Sequence, residues 1–137
     1  MLMSTFVLLS APCNAQALKE VENKQIASIL TFVEKLKQFS NQNMFVNAFV
    51  VGIPTDTVPN TNSEEIFKRL IISFSETGEG SRYKVYEFSK IMYPSDINFT
   101  SVDPHIQRIE FTHGQYKQRK VSVYEINIKT MNLYKIQ

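Results

Sequence analysis

Ile66-Phe67-Lys68-Arg69-Leu70-Ile71-Ile72-Ser73-Phe74 is the stretch on which the fold turns. Taken with a helical period, Ile66, Phe67, Leu70, Ile71 and Phe74 make one apolar stripe. Asn62 followed by Glu65 has the spacing of a capping interaction, and Glu64 and Glu65 suit a helix N-terminus. Ile71, Ile72 and Phe74 are also good sheet formers, and a strand here would pair with residues 82–90. The helical reading is preferred because cap and stripe agree with each other.

On either side stand two strand signals. Residues 44–53 are a nearly continuous apolar run, which suits a strand covered on both faces, as in a parallel sheet. Gly78-Glu79-Gly80-Ser81 reads as a turn and residues 82–92 as a second strand. Strand, helix and strand in this order fit a right-handed βαβ crossover. Upstream, Leu18, Val21, Ile26, Ile29, Leu30, Phe32, Val33, Leu36 and Phe39 recur at three- and four-residue steps, predicting a helix over residues 18–41. The polar run Ser40 to Asn43 stops it. Pro54 to Asn62 and Pro94 to Pro104 read as loops, residues 105–112 and 119–128 as further strands with His113-Gly114 turning between them, and 129–137 as a short strand or helix. The expected fold is a single α/β domain over residues 18–137: a mixed four- to five-stranded sheet with a βαβ unit and a long N-terminal helix. The alternative is α+β, with one helix on an antiparallel sheet.

The 137 residues suit one domain, and 43% hydrophobic with 20% charged residues is the balance of a folded globular chain. A net charge of +2 is too small to imply a nucleic-acid or membrane-surface field. Residues 1–17 carry no charged side chain. Phe6-Val7-Leu8-Leu9 lies at the centre of an apolar run, and Ala15-Gln16-Ala17 offers the small residues of a signal-peptidase site. These residues read as a signal peptide, predicting a periplasmic or secreted protein with no stable membrane insertion after cleavage. The single cysteine, Cys13, lies in that leader, so the mature chain would have no disulfide, thiolate metal site or cysteine nucleophile.

The remaining residues give few signs of chemistry. His105 and His113 are the only histidines, and eight residues along a strand put them about 26 Å apart, too far to share a metal with Asp103 or Glu110. A hydrolase reading requires one of them within hydrogen-bond reach of a carboxylate or serine in a cleft. Lys117, Arg119 and Lys120, beside Tyr116, form a basic cluster that could bind a nucleic acid or a phosphate; with so small a net charge it reads as a solvated hairpin tip. Thr55, Asp56 and Thr57 follow the first strand of the proposed βαβ unit, where such folds place ligands, and are the candidate ligand-binding residues. No glycine-rich nucleotide cradle, nucleophile elbow or zinc motif occurs. No catalytic residue, metal, cofactor or nucleic-acid partner is expected.

The helix stripe Ile26 to Leu36, then Phe49-Val50-Val51-Gly52-Ile53, and later Tyr124-Glu125-Ile126-Asn127-Ile128, resemble segments of the YfiR-like periplasmic family. The family's Trp-Pro after the first helix is absent, and no functional residue transfers. The resemblance implies a small periplasmic α/β protein that regulates another envelope protein through contact. The reading from sequence is thus an exported, non-enzymatic binding or regulatory domain, with a small-ligand carrier using the loop after the first strand as the alternative and a hydrolase as a third. Mass spectrometry of the native protein is expected to find a mature start at Gln16 or Leu18; a full-length chain overturns the export reading.

Overall fold

A computed structural model describes residues 23–53 and 67–137. The leader with Cys13, the capping pair Asn62 and Glu65, and the ligand candidates Thr55, Asp56 and Thr57 lie outside the described residues. From Phe67 onward the deciding stretch is a strand. The elements are α1 (Lys24–Phe32), β1 (Val33–Ser40), β2 (Met44–Gly52), β3 (Phe67–Glu76), β4 (Tyr83–Met92), β5 (Ser95–Asp103), β6 (Ile106–His113), β7 (Lys120–Asn127) and β8 (Asn132–Lys135). They form two four-stranded antiparallel meanders, β1-β2-β3-β4 and β5-β6-β7-β8, each strand beside its sequence neighbour. The expected α/β fold is therefore overturned, and with it the parallel βαβ unit, the long N-terminal helix and the alternative of one helix on a single antiparallel sheet.

The physical reason lies in the pairing. β2 and β3 run antiparallel from Met44 opposite Glu76 to Gly52 opposite Lys68. This register puts Val46, Ala48 and Val50 on the same face as Phe74, Ile72 and Leu70, all buried. A helix would present Leu70 and Phe74 together but turn Ile72 away from them; the strand's period of two buries all three. β4 then pairs with β3, as the strand reading of residues 66–75 required. Phe88 lies opposite Leu70 and Ile91 opposite Lys68, so one extra residue of β4 bulges here and Ile91 also reaches the core.

The expected helix over residues 18–41 is cut short. Asn23 caps α1, its side-chain oxygen accepting the N–H groups of Gln25 at 3.0 Å and Ile26 at 3.2 Å. The chain becomes extended at Val33, where β1 begins. β1 and β2 are joined by a hairpin whose turn is held by Asn41, its Oδ1 accepting the N–H groups of Asn43 at 2.8 Å and Met44 at 2.9 Å. The same asparagines that look like a helix stop thus reverse a strand. The expected loop Pro94 to Pro104 is mostly β5, paired with β6. The tail resolves as β8, paired with β7.

Both meanders share one core. Val46, Ala48, Leu70, Ile72 and Phe74 from the first sheet join Ile97, Ile109, Phe111 and Ile126 from the second. Aromatic rings bridge the sheets: Phe88 meets Phe111 and Tyr124 edge-on at 5.6 and 5.1 Å between centroids, and Phe39 meets Phe99 at 6.0 Å. Arg108 and Tyr134, on the outward side of the second sheet, both donate to the Glu125 carboxylate, at 2.8 and 2.7 Å, holding it below the usual carboxylate range. Among the described residues no helix is long and apolar enough to cross a membrane.

One buried polar side chain interrupts the core face of β6. Gln107 is fully buried; its Oε1 accepts the Ser101 hydroxyl at 2.9 Å, but its Nε2 has no partner among the described residues. An unpaired buried donor costs roughly 1–3 kcal/mol. Gln107→Met keeps the volume and removes that donor, so it is expected to stabilise the domain by about 1 kcal/mol in urea unfolding; a loss of stability would show that the amide is fully satisfied.

Candidate functional site

The inward faces of the strands change character toward one end of the domain. In β2 and β3 the inward series Phe74, Ile72, Leu70 is continued by Lys68, which lies opposite Gly52. In β1, Lys35 lies opposite Val50. Strand alternation therefore carries Lys68 and Lys35, and next to it Lys37 opposite Ala48, onto the face that elsewhere buries the core; Lys35 and Lys68 are the two at the open end. The ladders are irregular here: β1 has a register shift between Val33 and Lys35, β3–β4 between Lys68 and Leu70, and β5–β6 between Ser95 and Asn98. Such bulges recur beside functional sites because they re-aim side chains and interrupt pairing.

The two sheets part at this end around an open cleft of about 740 Å³. Glu34, Lys35, Val50 and Lys68 line it from the first sheet. Tyr93 and Pro94, which link β4 to β5, line it together with Ser95. Tyr116 and Arg119, from the turn between β6 and β7, complete it. Gly114 ties that turn to the first sheet, its N–H donating to the Met92 carbonyl at 2.8 Å. Its φ is +102°, and a Cβ there would stand 2.9 Å from the Gln118 carbonyl oxygen, so only glycine fits. Tyr93 has a φ of +45° and Asp96 one of +50°. Bulky residues seldom adopt this left-handed conformation, and such strain concentrates at ligand sites.

The cleft's charges are held in different ways. Lys68 pairs with Glu34 at 2.6 Å. Arg119 is half-buried and has only neutral oxygens as partners: Gly114 O at 2.7 Å, Ser95 Oγ at 2.5 Å and Thr112 O at 3.5 Å. Among the described residues neither Arg119 nor Lys35 has a carboxylate partner. The expectation of a solvated basic tip at Lys117, Arg119 and Lys120 therefore holds for the exposed Lys117 and Lys120 and fails for Arg119.

The histidines fall elsewhere. His105 lines a polar recess at the far end, with Asn43, Glu76 and Arg82. Its backbone N–H donates to Asp103 Oδ1 at 2.7 Å, so that carboxylate holds the β5–β6 turn. His113 Nε2 lies 2.7 Å from Ser122 Oγ, which meets one requirement of the hydrolase reading. The other, a place in a cleft, is unmet at the end cleft, which neither residue lines; nor does any carboxylate among the described residues orient the ring as a nucleophile–base pair would need. No group of three or more histidine, cysteine, aspartate or glutamate side chains could hold a metal ion among the described residues.

The candidate ligand residues Thr55, Asp56 and Thr57 lie outside the described residues. Sequence reasoning missed Lys35, Lys68 and Tyr93, and named Arg119 only as part of a solvated basic tip. A signal for Lys68 was present in the alternation Lys68, Leu70, Ile72, Phe74. Lys35 was hidden by its apparent helix, and Tyr93 stood between a strand and an apparent loop.

Burial pushes the His113 imidazole below its ordinary value, and the nearby charges of Arg119, Lys120 and Lys135 push it further the same way. A group lowered on folding stabilises the native state above its ordinary pKa, and that contribution is lost as pH falls through the folded value. NMR titration of His113 is expected to give a midpoint below the usual imidazole range, with Lys120→Gln moving it upward; a midpoint in the ordinary range would contradict the burial and the positive surroundings. No family model, curated protein or solved structure matches the chain.

Proposed function

We propose that this is a non-enzymatic binding domain whose open end holds a small ligand. The observation that carries the reading is the cleft of about 740 Å³ between the sheets, with an apolar floor of Val50 and Pro94 and polar groups converging from both sheets. Small-molecule sites have this make-up and occur in the mouths of two-sheet and barrel domains, with volumes of about 300–1,000 Å³. The strained Tyr93 backbone and the glycine-dependent turn at Gly114 favour a shaped site over a chance gap. The apolar run and cleavage context of residues 1–17 support a periplasmic or secreted address.

Contact with another envelope protein, as the YfiR-like resemblance suggests, has one feature in its favour. Leu36, Phe45, Tyr83 and Val85 stand on the outward face of the first sheet and are exposed. That face would account for a partner, but it leaves the cleft without a role.

The cleft reading is tested by NMR with a library of small soluble fragments. Chemical-shift changes are expected to concentrate on the amides of Lys35, Val50, Lys68, Tyr93, Ser95 and Arg119. Fragments that perturb only the far end, or scatter over the surface, would count against the cleft as the binding site.

A further inference from the structure

We infer that the ligand of the end cleft is an amphipathic anion, with a carboxylate or phosphate head on Arg119 and Lys35 and an apolar body along Val50, Tyr93, Pro94 and Tyr116. This assignment rests on the cleft reading above and adds the chemical class of the occupant.

Charge identifies the head. Of the four charged groups lining the cleft, Glu34 and Lys68 neutralise each other. Arg119 and Lys35 remain without a carboxylate partner among the described residues, so the described lining of the cleft carries two positive charges in excess. Arg119 matters more because it is half-buried and fixed. Its guanidinium is pinned by the Gly114 carbonyl and the Ser95 hydroxyl, neutral groups that orient it; the hydroxyl in turn donates to the Asp96 carboxylate at 3.2 Å, which makes no ion pair with the guanidinium. Removing a cation from water without a counter-ion is costly, and an anion brought to it offsets that cost. A planar guanidinium in a set orientation suits the paired oxygens of a carboxylate or phosphate. Lys135 and Lys120 add to the positive surroundings felt at neighbouring His113.

Aromatic exposure identifies the body. Tyr116 is 87% exposed and Tyr93 45% exposed, both beside the fully inward-facing Val50. Tyrosine rings held at a cleft mouth are suited to covering an apolar group while the hydroxyl stays wet. A bare inorganic anion would leave these rings uncovered. A neutral apolar ligand would bury Arg119 further without pairing it. An amphipathic anion satisfies both halves of the lining.

The test uses the full chain and three ten-carbon probes below their micelle concentrations: decanoate, decyl phosphate and decanol. Amide shifts follow binding at the cleft. At least one anion is expected to bind there about tenfold more tightly than decanol, the margin of one well-formed charged contact. Decanoate alone assigns a carboxylate head, and decyl phosphate alone a phosphate head. Arg119→Gln is expected to bring the anions down to the decanol level. Lys35→Gln lies on an edge strand away from the Arg119 turn, and is expected to weaken the anions several-fold while leaving decanol unchanged. Decanol binding the cleft as tightly as both anions overturns the anionic assignment and leaves the cleft reading intact. Cleft hits from the fragment library with none from the three probes do the same. Silence at the cleft from probes and library alike overturns both.

Discussion

Everything in this domain depends on the antiparallel register of β2 against β3. It aligns Val46, Ala48 and Val50 with Phe74, Ile72 and Leu70 on one face, and a slip of one residue would turn all of them outward. Burying each large apolar side chain contributes about 1.5–3 kcal/mol, so this face is the largest local source of stability in the first sheet. Once it is set, β1 and β4 add to its two sides through short connections, and the second meander closes over it with Ile97, Ile109, Phe111 and Ile126. Neither sheet needs a crossover, because within each one every strand pairs with the next in sequence.

The two ends of the domain are built differently. At the far end, turns bind one another: the side chains of Asn41 and Asn43 both donate to the Pro104 carbonyl, and Arg82 bridges Glu76 and the Lys129 carbonyl. The cleft end has bulged ladders, a strained link at Tyr93 and lysines on inward-facing positions. Inward lysines cannot close a core, because their charge must stay wet or paired. The same residues that keep the sheets from meeting at this end are those that would engage a ligand. Openness and charge there go together, because Lys35 and Lys68 stand at this end where apolar side chains would close the core.

Much of the strand content is legible in the residues. The apolar run at 44–53, the segment at 82–92 and the pair around His113-Gly114 all emerge as strands close to where they are expected. The misreadings share a mechanism. Residues 33–40 contain apolar side chains at positions 33, 36 and 39, a spacing that serves a helix stripe as well as a bulged edge strand. Residues 66–75 are nearly all apolar or ambiguous at their centre, so local pattern cannot separate the two periods. Positions 95–103 lack a strong apolar pattern because β5 is an edge strand and mostly exposed. The cleft was legible only as a fragment, the basic cluster at 117–120, with no sign that Arg119 meets Lys35, Lys68 and Tyr93.

By itself the sequence determined the composition of a single cysteine-poor domain, four of its strands and their turn residues, because these depend on contacts within a few positions. Only the tertiary structure decided that 33–40 and 67–76 are strands, since that choice is made by partners across the sheet. It also decided that Arg119 is pinned rather than solvated, and that Lys35, Lys68, Tyr93 and Arg119 share a cleft. Those residues come from separate hairpins and a connecting link, and proximity between them exists only once two sheets have packed on one core.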